Sequence, residues 1–130
     1  MDPIVHFELP VDDMARAKKF YGSIFGWNLS DFPMPDGSTY VGVHTTPIDE
    51  KTRMPLKTGA INGGIVKRSK ETLHPIFAIN VSSVDDYVKK IEKSGGSVAV
   101  PKKEIMGMGY YAYIKDPEGN VIGLWEDKKK

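Results

Sequence analysis

Apolar and polar residues alternate through Phe7-Glu8-Leu9-Pro10-Val11 and again through Phe77-Ala78-Ile79-Asn80-Val81. A two-residue period is that of a strand with one face on a core. After each run the period lengthens. Met14, Ala17, Phe20, Tyr21, Ile24 and Phe25 recur at spacings of three and four, which predicts a helix capped by Asp12 or Asp13 and ended by Gly26. Val84, Tyr87, Val88 and Ile91 repeat this behind Ser83, which stands three residues before Asp86 like a capping box, and the pattern stops at Gly95-Gly96. Three more strands are predicted after each helix: residues 28–32, 39–45 and 60–67, then 97–100, 110–115 and 121–126. Asp36-Gly37 and Asp116-Pro117-Glu118-Gly119-Asn120 supply turns between them.

The two halves are copies of one pattern. A shift of 70 places Phe77, Ile79, Val81, Val84, Lys89 and Gly96 under Phe7, Leu9, Val11, Met14, Lys19 and Gly26. Each half reads βαβββ and is too small to cover its own sheet, so residues 1–68 and 73–127 are expected to form one domain. The halves differ between Thr46 and Gly59, where the first carries a polar, aperiodic stretch, residues 47–58, in place of a five-residue turn. That stretch is read as a tolerated insertion in preference to a mobile lid.

Composition narrows the function. The chain has 130 residues, 18 Lys and Arg against 17 Asp and Glu, and a net charge of +1, too weak a field to collect nucleic acid or acidic membranes. The basic residues occur singly or in pairs such as Lys102-Lys103, with one run of three at the terminal Lys128-Lys129-Lys130. With no Cys there is no disulfide framework, thiolate nucleophile or Cys-ligated zinc. No signal-peptide pattern follows Met1-Asp2-Pro3 and no apolar run reaches membrane-spanning length, so a cytoplasmic protein is expected.

His6-Phe7-Glu8-Leu9-Pro10-Val11-Asp12-Asp13, Ala17-Lys18-Lys19-Phe20-Tyr21-Gly22-Ser23-Ile24-Phe25-Gly26-Trp27 and Asp116-Pro117-Glu118-Gly119-Asn120, set around a duplicated βαβββ pattern, resemble the vicinal oxygen chelate superfamily of glyoxalases, bleomycin-resistance proteins and extradiol dioxygenases. The resemblance implies an α+β fold whose tandem modules form a cupped mixed sheet with helices outside and a small-molecule site in the concavity. It also implies, for metal enzymes of the family, one ligand on the first and one on the last strand of each module. Those positions fall here on His6, at or beside Gly64, on Ile76 and on Gly123, and three of the four cannot donate a side-chain atom. His74 lies too far along the chain to substitute, and Glu8 leaves the other module empty. No cofactor is therefore expected, with a divalent metal as the alternative.

Glycine at these places either opens volume in the concave surface, together with Asn62 and Gly63, or marks a bulge or close approach. On the open reading, His6 and Glu8 are the candidate catalytic pair, two residues apart on one strand face, and Asn62, Tyr111, Tyr113 and Trp125 the candidate ligand-binding residues. Small Ala112 suits Tyr110, Ala112 and Ile114 to helix packing and leaves Tyr111 and Tyr113 for the cup, although the 70-residue shift from Tyr40, Gly42 and His44 argues the reverse. Met106-Gly107-Met108-Gly109 reads as a flexible loop near the cavity mouth.

Three functions compete: a metal-free binder of a small organic molecule, which the missing ligands favour; a metal-dependent lyase, isomerase or dioxygenase using His6; and a drug-sequestering resistance protein. The expected partners are a small-molecule ligand and, because curled sheets expose strand edges, a second copy of the chain in a homodimer.

Overall fold

The structure, a computed structural model, describes residues 1–128; of the terminal lysine run, Lys129 and Lys130 lie outside the described residues. The chain divides into two compact units, residues His6–Pro75 and Met1–Val5 with the chain from Ile76 onward. The elements run β1 (Ile4–Val11), α1 (Met14–Phe25), β2 (Asn28–Pro33), β3 (Thr39–His44), β4 (Gly63–Lys67), β5 (Ile76–Asn80), α2 (Val84–Lys93), β6 (Ser97–Ile105), β7 (Gly109–Lys115) and β8 (Val121–Asp127). Both units thus follow the βαβββ order that the periodicity predicts. Among the described residues no helix is long and apolar enough to cross a membrane.

In the first unit β1 lies parallel to β4, with Glu8 opposite Gly64, while β4 and β2 pair antiparallel with β3. α1 begins where Asp13 accepts a hydrogen bond from the Arg16 N–H at 3.0 Å and ends at Gly26, whose φ of 68° is the left-handed cap that glycine adopts without steric cost. Its inner side covers fully buried Val41, Val43 and Ile65, with Phe7, Leu9, Met14, Ala17, Tyr21 and Trp27 packed around them. Each such side chain contributes about 1.5–3 kcal/mol on burial. By strand alternation, the neighbours of these core residues (His6, Glu8, Tyr40, Gly42 and Gly64) point to the face away from α1.

The second unit repeats this arrangement. β5 lies parallel to β8, and β8 and β6 flank β7 antiparallel. Ser83 caps α2 by accepting from the Asp86 N–H. The helix covers Val81, Val84, Ala112, Ile114 and Leu124, with Tyr110 packed against them. The N-terminal residues belong to this unit: Asn80 N–H donates to the Pro3 carbonyl at 2.9 Å and the Tyr87 hydroxyl donates to Asp2 at 2.8 Å.

Two details depart from the sequence pattern. β6 extends to Ile105, past the expected end at Val100, because register irregularities between Val98 and Lys103 let the strand resume pairing with β7. β4 starts at Gly63 instead of Ala60 because Thr45 and Asn62 bond with each other and take the chain out of the ladder.

Candidate functional site

The polar face of the first unit is built from one strand and its cross-strand neighbours. His6 Nε2 lies 2.9 Å from the Tyr40 hydroxyl. Burial lowers the His6 pKa to about 4, so the imidazole is neutral at neutral pH. Burial, and then the nearby Glu8 charge, push the Tyr40 phenol well above its ordinary value, and it stays protonated. Glu8 itself is only 4% exposed, a carboxyl held out of water directly opposite Gly64 in the β1–β4 ladder. Three ionisable groups therefore share a dry patch on the face away from α1. A protonated phenol, a neutral imidazole and a carboxyl can together donate to and accept from one polar organic group.

Glycine makes room for this patch in a way the sequence does not announce. A Cβ placed on Gly64 would overlap the Tyr40 hydroxyl and ring, and one on Gly123 would overlap the hydroxyl and ring of Tyr111. Of the two readings of these glycines, close approach holds: tyrosine rings fill the space over both. The same device recurs at Gly42, where a Cβ would lie 2.7 Å from the Phe32 ring, and at Gly109, where it would lie 2.5 Å from the Trp125 ring. Strand glycines here seat aromatic side chains laid across them from the next strand.

In the second unit Tyr111 packs edge-on to Tyr113 at 5.0 Å and tilted against Trp125 at 6.2 Å. Tyr110, Ala112 and Ile114 pack against α2, so the alternation argument sets the faces of β7 and the 70-residue shift does not. The equivalent of Tyr111 is Tyr40, 71 positions earlier, since each lies across the glycine of its unit's last strand. Tyr40 is the residue that sequence reasoning missed. The signal was the Tyr40-Gly42 alternation against apolar Val41 and Val43, which puts the phenol on the face of His6 and Glu8.

Asn62, expected to touch ligand, is hydrogen-bonded within the chain. Its side-chain oxygen accepts from the Thr45 N–H at 2.7 Å and the Thr46 N–H at 3.3 Å, closing the neck of the long connection between β3 and β4. Inside that connection the Asp49 carboxylate accepts from the Thr52 and Lys51 N–H groups, and Ile48 bridges Pro55, so residues 47–58 form a self-braced loop. Asn62→Ala leaves two backbone donors without that partner, at a cost of about 1–2 kcal/mol, much of it local. Limited proteolysis should show cleavage within residues 47–58 accelerated at least severalfold; unchanged cleavage would show that the neck does not depend on Asn62. Beside the neck, Thr45, Thr46, Pro47 and Lys57–Ala60 line an open depression of about 510 Å³.

A divalent ion does not fit the donor set. Of the four positions that the resemblance assigns, Gly64 is covered by Tyr40 and Gly123 by Tyr111, Ile76 is a buried hydrocarbon, and His6 faces a phenol. Among the described residues no three His, Asp or Glu side chains converge on a metal-sized space. His74 lies in the connection before β5.

Comparison with known proteins agrees with this architecture. CFP32 of Mycobacterium tuberculosis, named as a candidate glyoxylase, is 34% identical over 122 residues, which cover 92% of this chain and 43% of that protein. DauV, an anthracycline biosynthesis protein of Streptomyces sp. strain C5, is 27% identical over 129 residues, covering 92% and 45%. The chain thus spans less than half the length of these curated relatives. Among solved structures, the hypothetical protein BH1468 from Bacillus halodurans C-125 superposes with a TM-score of 0.68 at 13% identity, covering 99% of this chain and 96% of that one. Methylmalonyl-CoA epimerase from Mycobacterium tuberculosis gives 0.63 at 16% identity, covering 97% and 88%. At such identities these two show the fold, an α+β arrangement with a mixed sheet. Residues 3–124 match the family profile throughout, and the chain belongs to the Glyoxalase/Bleomycin resistance protein/Dioxygenase superfamily.

Proposed function

We propose that this protein binds a small organic molecule bearing a carbonyl or hydroxyl group at the His6–Glu8–Tyr40 face, without the family's four-ligand metal site. The observation that carries this reading is the buried trio itself. Burying a carboxyl, an imidazole and a phenol side by side costs stability that an apolar face would not, and such clusters concentrate at functional sites. Tyr40 serves as the neutral donor. His6, whose pKa of about 4 makes it a weak base, orients that phenol through the 2.9 Å contact more effectively than it abstracts protons. Any proton transfer falls to Glu8, two residues along the same strand face and about 6–7 Å away. The relatives' names, a candidate glyoxylase and an anthracycline biosynthesis protein, both concern small organic molecules and support the same ligand class.

The test is a thermal-shift and NMR screen of carbonyl- and hydroxyl-bearing compounds on chelator-dialysed protein, repeated with Tyr40→Phe. Tyr40→Phe is expected to stay folded, to lose about 1–2 kcal/mol as the His6 partner disappears, and to weaken binding of any hit about tenfold or more. A hit that binds Tyr40→Phe as tightly as the wild type would remove the site from this face.

A second reading, a metal-dependent glyoxalase-type enzyme, draws on the 34% identity to CFP32. It requires metal at near-unit stoichiometry in purified protein, which elemental analysis reads directly.

A further inference from the structure

We infer that the second unit carries a separate binding site on its helix side, a depression between α2 and the sheet that takes an uncharged, mainly apolar alcohol or phenol with its hydroxyl at Asp2 and Tyr87. It shares no residue with the His6–Glu8–Tyr40 face and does not rest on that reading. Its floor follows from strand register. Ile79 stands opposite Leu124 and Ile114 opposite Ile122, so aliphatic side chains tile β5, β8 and β7 on the face that turns to α2. Of the strands beneath it, α2 contacts β6 most and β8 least, so the helix covers the β5–β8 side of this floor only thinly.

The depression there measures about 350 Å³ and is lined by Ile79, Val81, Ile91, Ile114, Ile122 and Leu124. That is the small end of the range for ligand pockets, about 300–1,000 Å³. Hydrocarbon walls offer water no hydrogen bonds, so an apolar guest displaces it at little cost. Val81, Ile114 and Leu124 belong to the packed core of the unit, which sets these walls before any guest arrives and leaves little to order on binding.

Charge selects the head group of that guest. Asp2 and Tyr87 are the polar side chains in the lining. The Tyr87 hydroxyl donates to the Asp2 carboxylate at 2.8 Å, a bond that raises the phenol above its ordinary value, so the proton stays on Tyr87. Asp2 is held at this edge because the next residue, Pro3, accepts from the Asn80 N–H at 2.9 Å. Its carboxylate has lone pairs left for a second donor, and the Tyr87 oxygen can accept. Lys90 Nζ lies 4.7 Å from the centre of the Tyr87 ring. An anionic head group would therefore meet Asp2, and an ammonium would meet Lys90 as well as Asp2 and gain nothing net. A neutral hydroxyl donates to Asp2 with neither penalty.

The test is methyl NMR of isoleucine-labelled protein titrated with hexanol, hexylammonium and hexanoate. Hexanol should give saturable shifts of the Ile79, Ile91 and Ile122 methyls and bind at least about fivefold tighter than either charged analogue. Asp2→Ala, at an exposed position outside every helix and strand, should weaken hexanol about three- to tenfold. Ile79→Phe, which fills the depression, should abolish the shifts of the remaining methyls. The response should persist in Tyr40→Phe, which separates this site from the His6–Glu8–Tyr40 face. Absence of saturable shifts up to the solubility limit, loss of the response in Tyr40→Phe, a charged analogue that binds as tightly as hexanol, or unchanged binding in Asp2→Ala or Ile79→Phe overturns the proposal. If Ile79→Phe fails to fold, Asp2→Ala and the analogue series decide it.

Discussion

Gly64→Ala should destabilise the protein by about 2–6 kcal/mol, far more than an added methyl costs on an open sheet face. The new Cβ would overlap the Tyr40 hydroxyl and ring, and a ring laid across Gly64 cannot withdraw without leaving its place beside His6. The cost combines overpacking, about 1–3 kcal/mol, with loss of the partner of a buried imidazole, about 1–3 kcal/mol. Gly123→Ala should behave alike through Tyr111. A double-mutant cycle isolates the cause. In a Tyr40→Ala background Gly64→Ala should cost almost nothing or stabilise slightly, since alanine orders a strand more readily than glycine does. If Gly64→Ala is equally harmful in both backgrounds, the tyrosine is not what the glycine accommodates.

The second large effect is a loss of stability on mild acidification, carried by His6. Its folded pKa of about 4 lies below the ordinary 6.5, so between these values the unfolded chain binds a proton that the native state does not. Stability is therefore complete above about pH 6.5 and falls as pH drops towards 4. The loss is about 3 kcal/mol at about 1.36 kcal/mol per pKa unit. Asp49 and Asp116, whose carboxyls hydrogen bonds hold below 3.8, lose their contributions at lower pH, outside this window. Denaturant unfolding at pH 7 and pH 4.5 for the wild type and His6→Gln should show the wild type losing about 2–3 kcal/mol more than the variant. Equal losses would mean that His6 titrates as it would in water.

Much of this architecture was legible because period and caps agree. Asp13 and Gly26 bracket a run whose apolar spacing is helical, and Ser83 does the same for α2, so local chemistry and tertiary packing select the same boundaries. The alternation of Val41 and Val43 against Tyr40 and Gly42 marks the two faces of β3 as clearly. What periodicity could not convey is occupancy. Gly64 and Gly123 read equally well as vacancies or as close approaches, because the ring over each comes from the neighbouring strand and is offset by two residues in register, a cross-strand relation that single-strand patterns do not carry. Internal repetition misled at β7 for a related reason. The helix-packed residues of the two units are offset by 70 positions at the first strand, whereas Tyr40 and Tyr111 are offset by 71, and one residue exchanges the faces of a strand. Parity with Gly64 places Asn62 on one strand face; its hydrogen bonds to Thr45 and Thr46 depend on the path of the loop.

Whether the His6–Tyr40 face takes ligand without metal is read most directly by side-chain NMR of His6 and Tyr40 in chelator-dialysed protein, followed through addition of the compounds that bind. The expected result is saturable shifts of the His6 ring nitrogens and the Tyr40 ring signals with no metal present, and no further change when zinc, nickel or manganese is added. Signals that stay still until a metal is supplied would contradict it and assign His6 to a metal centre.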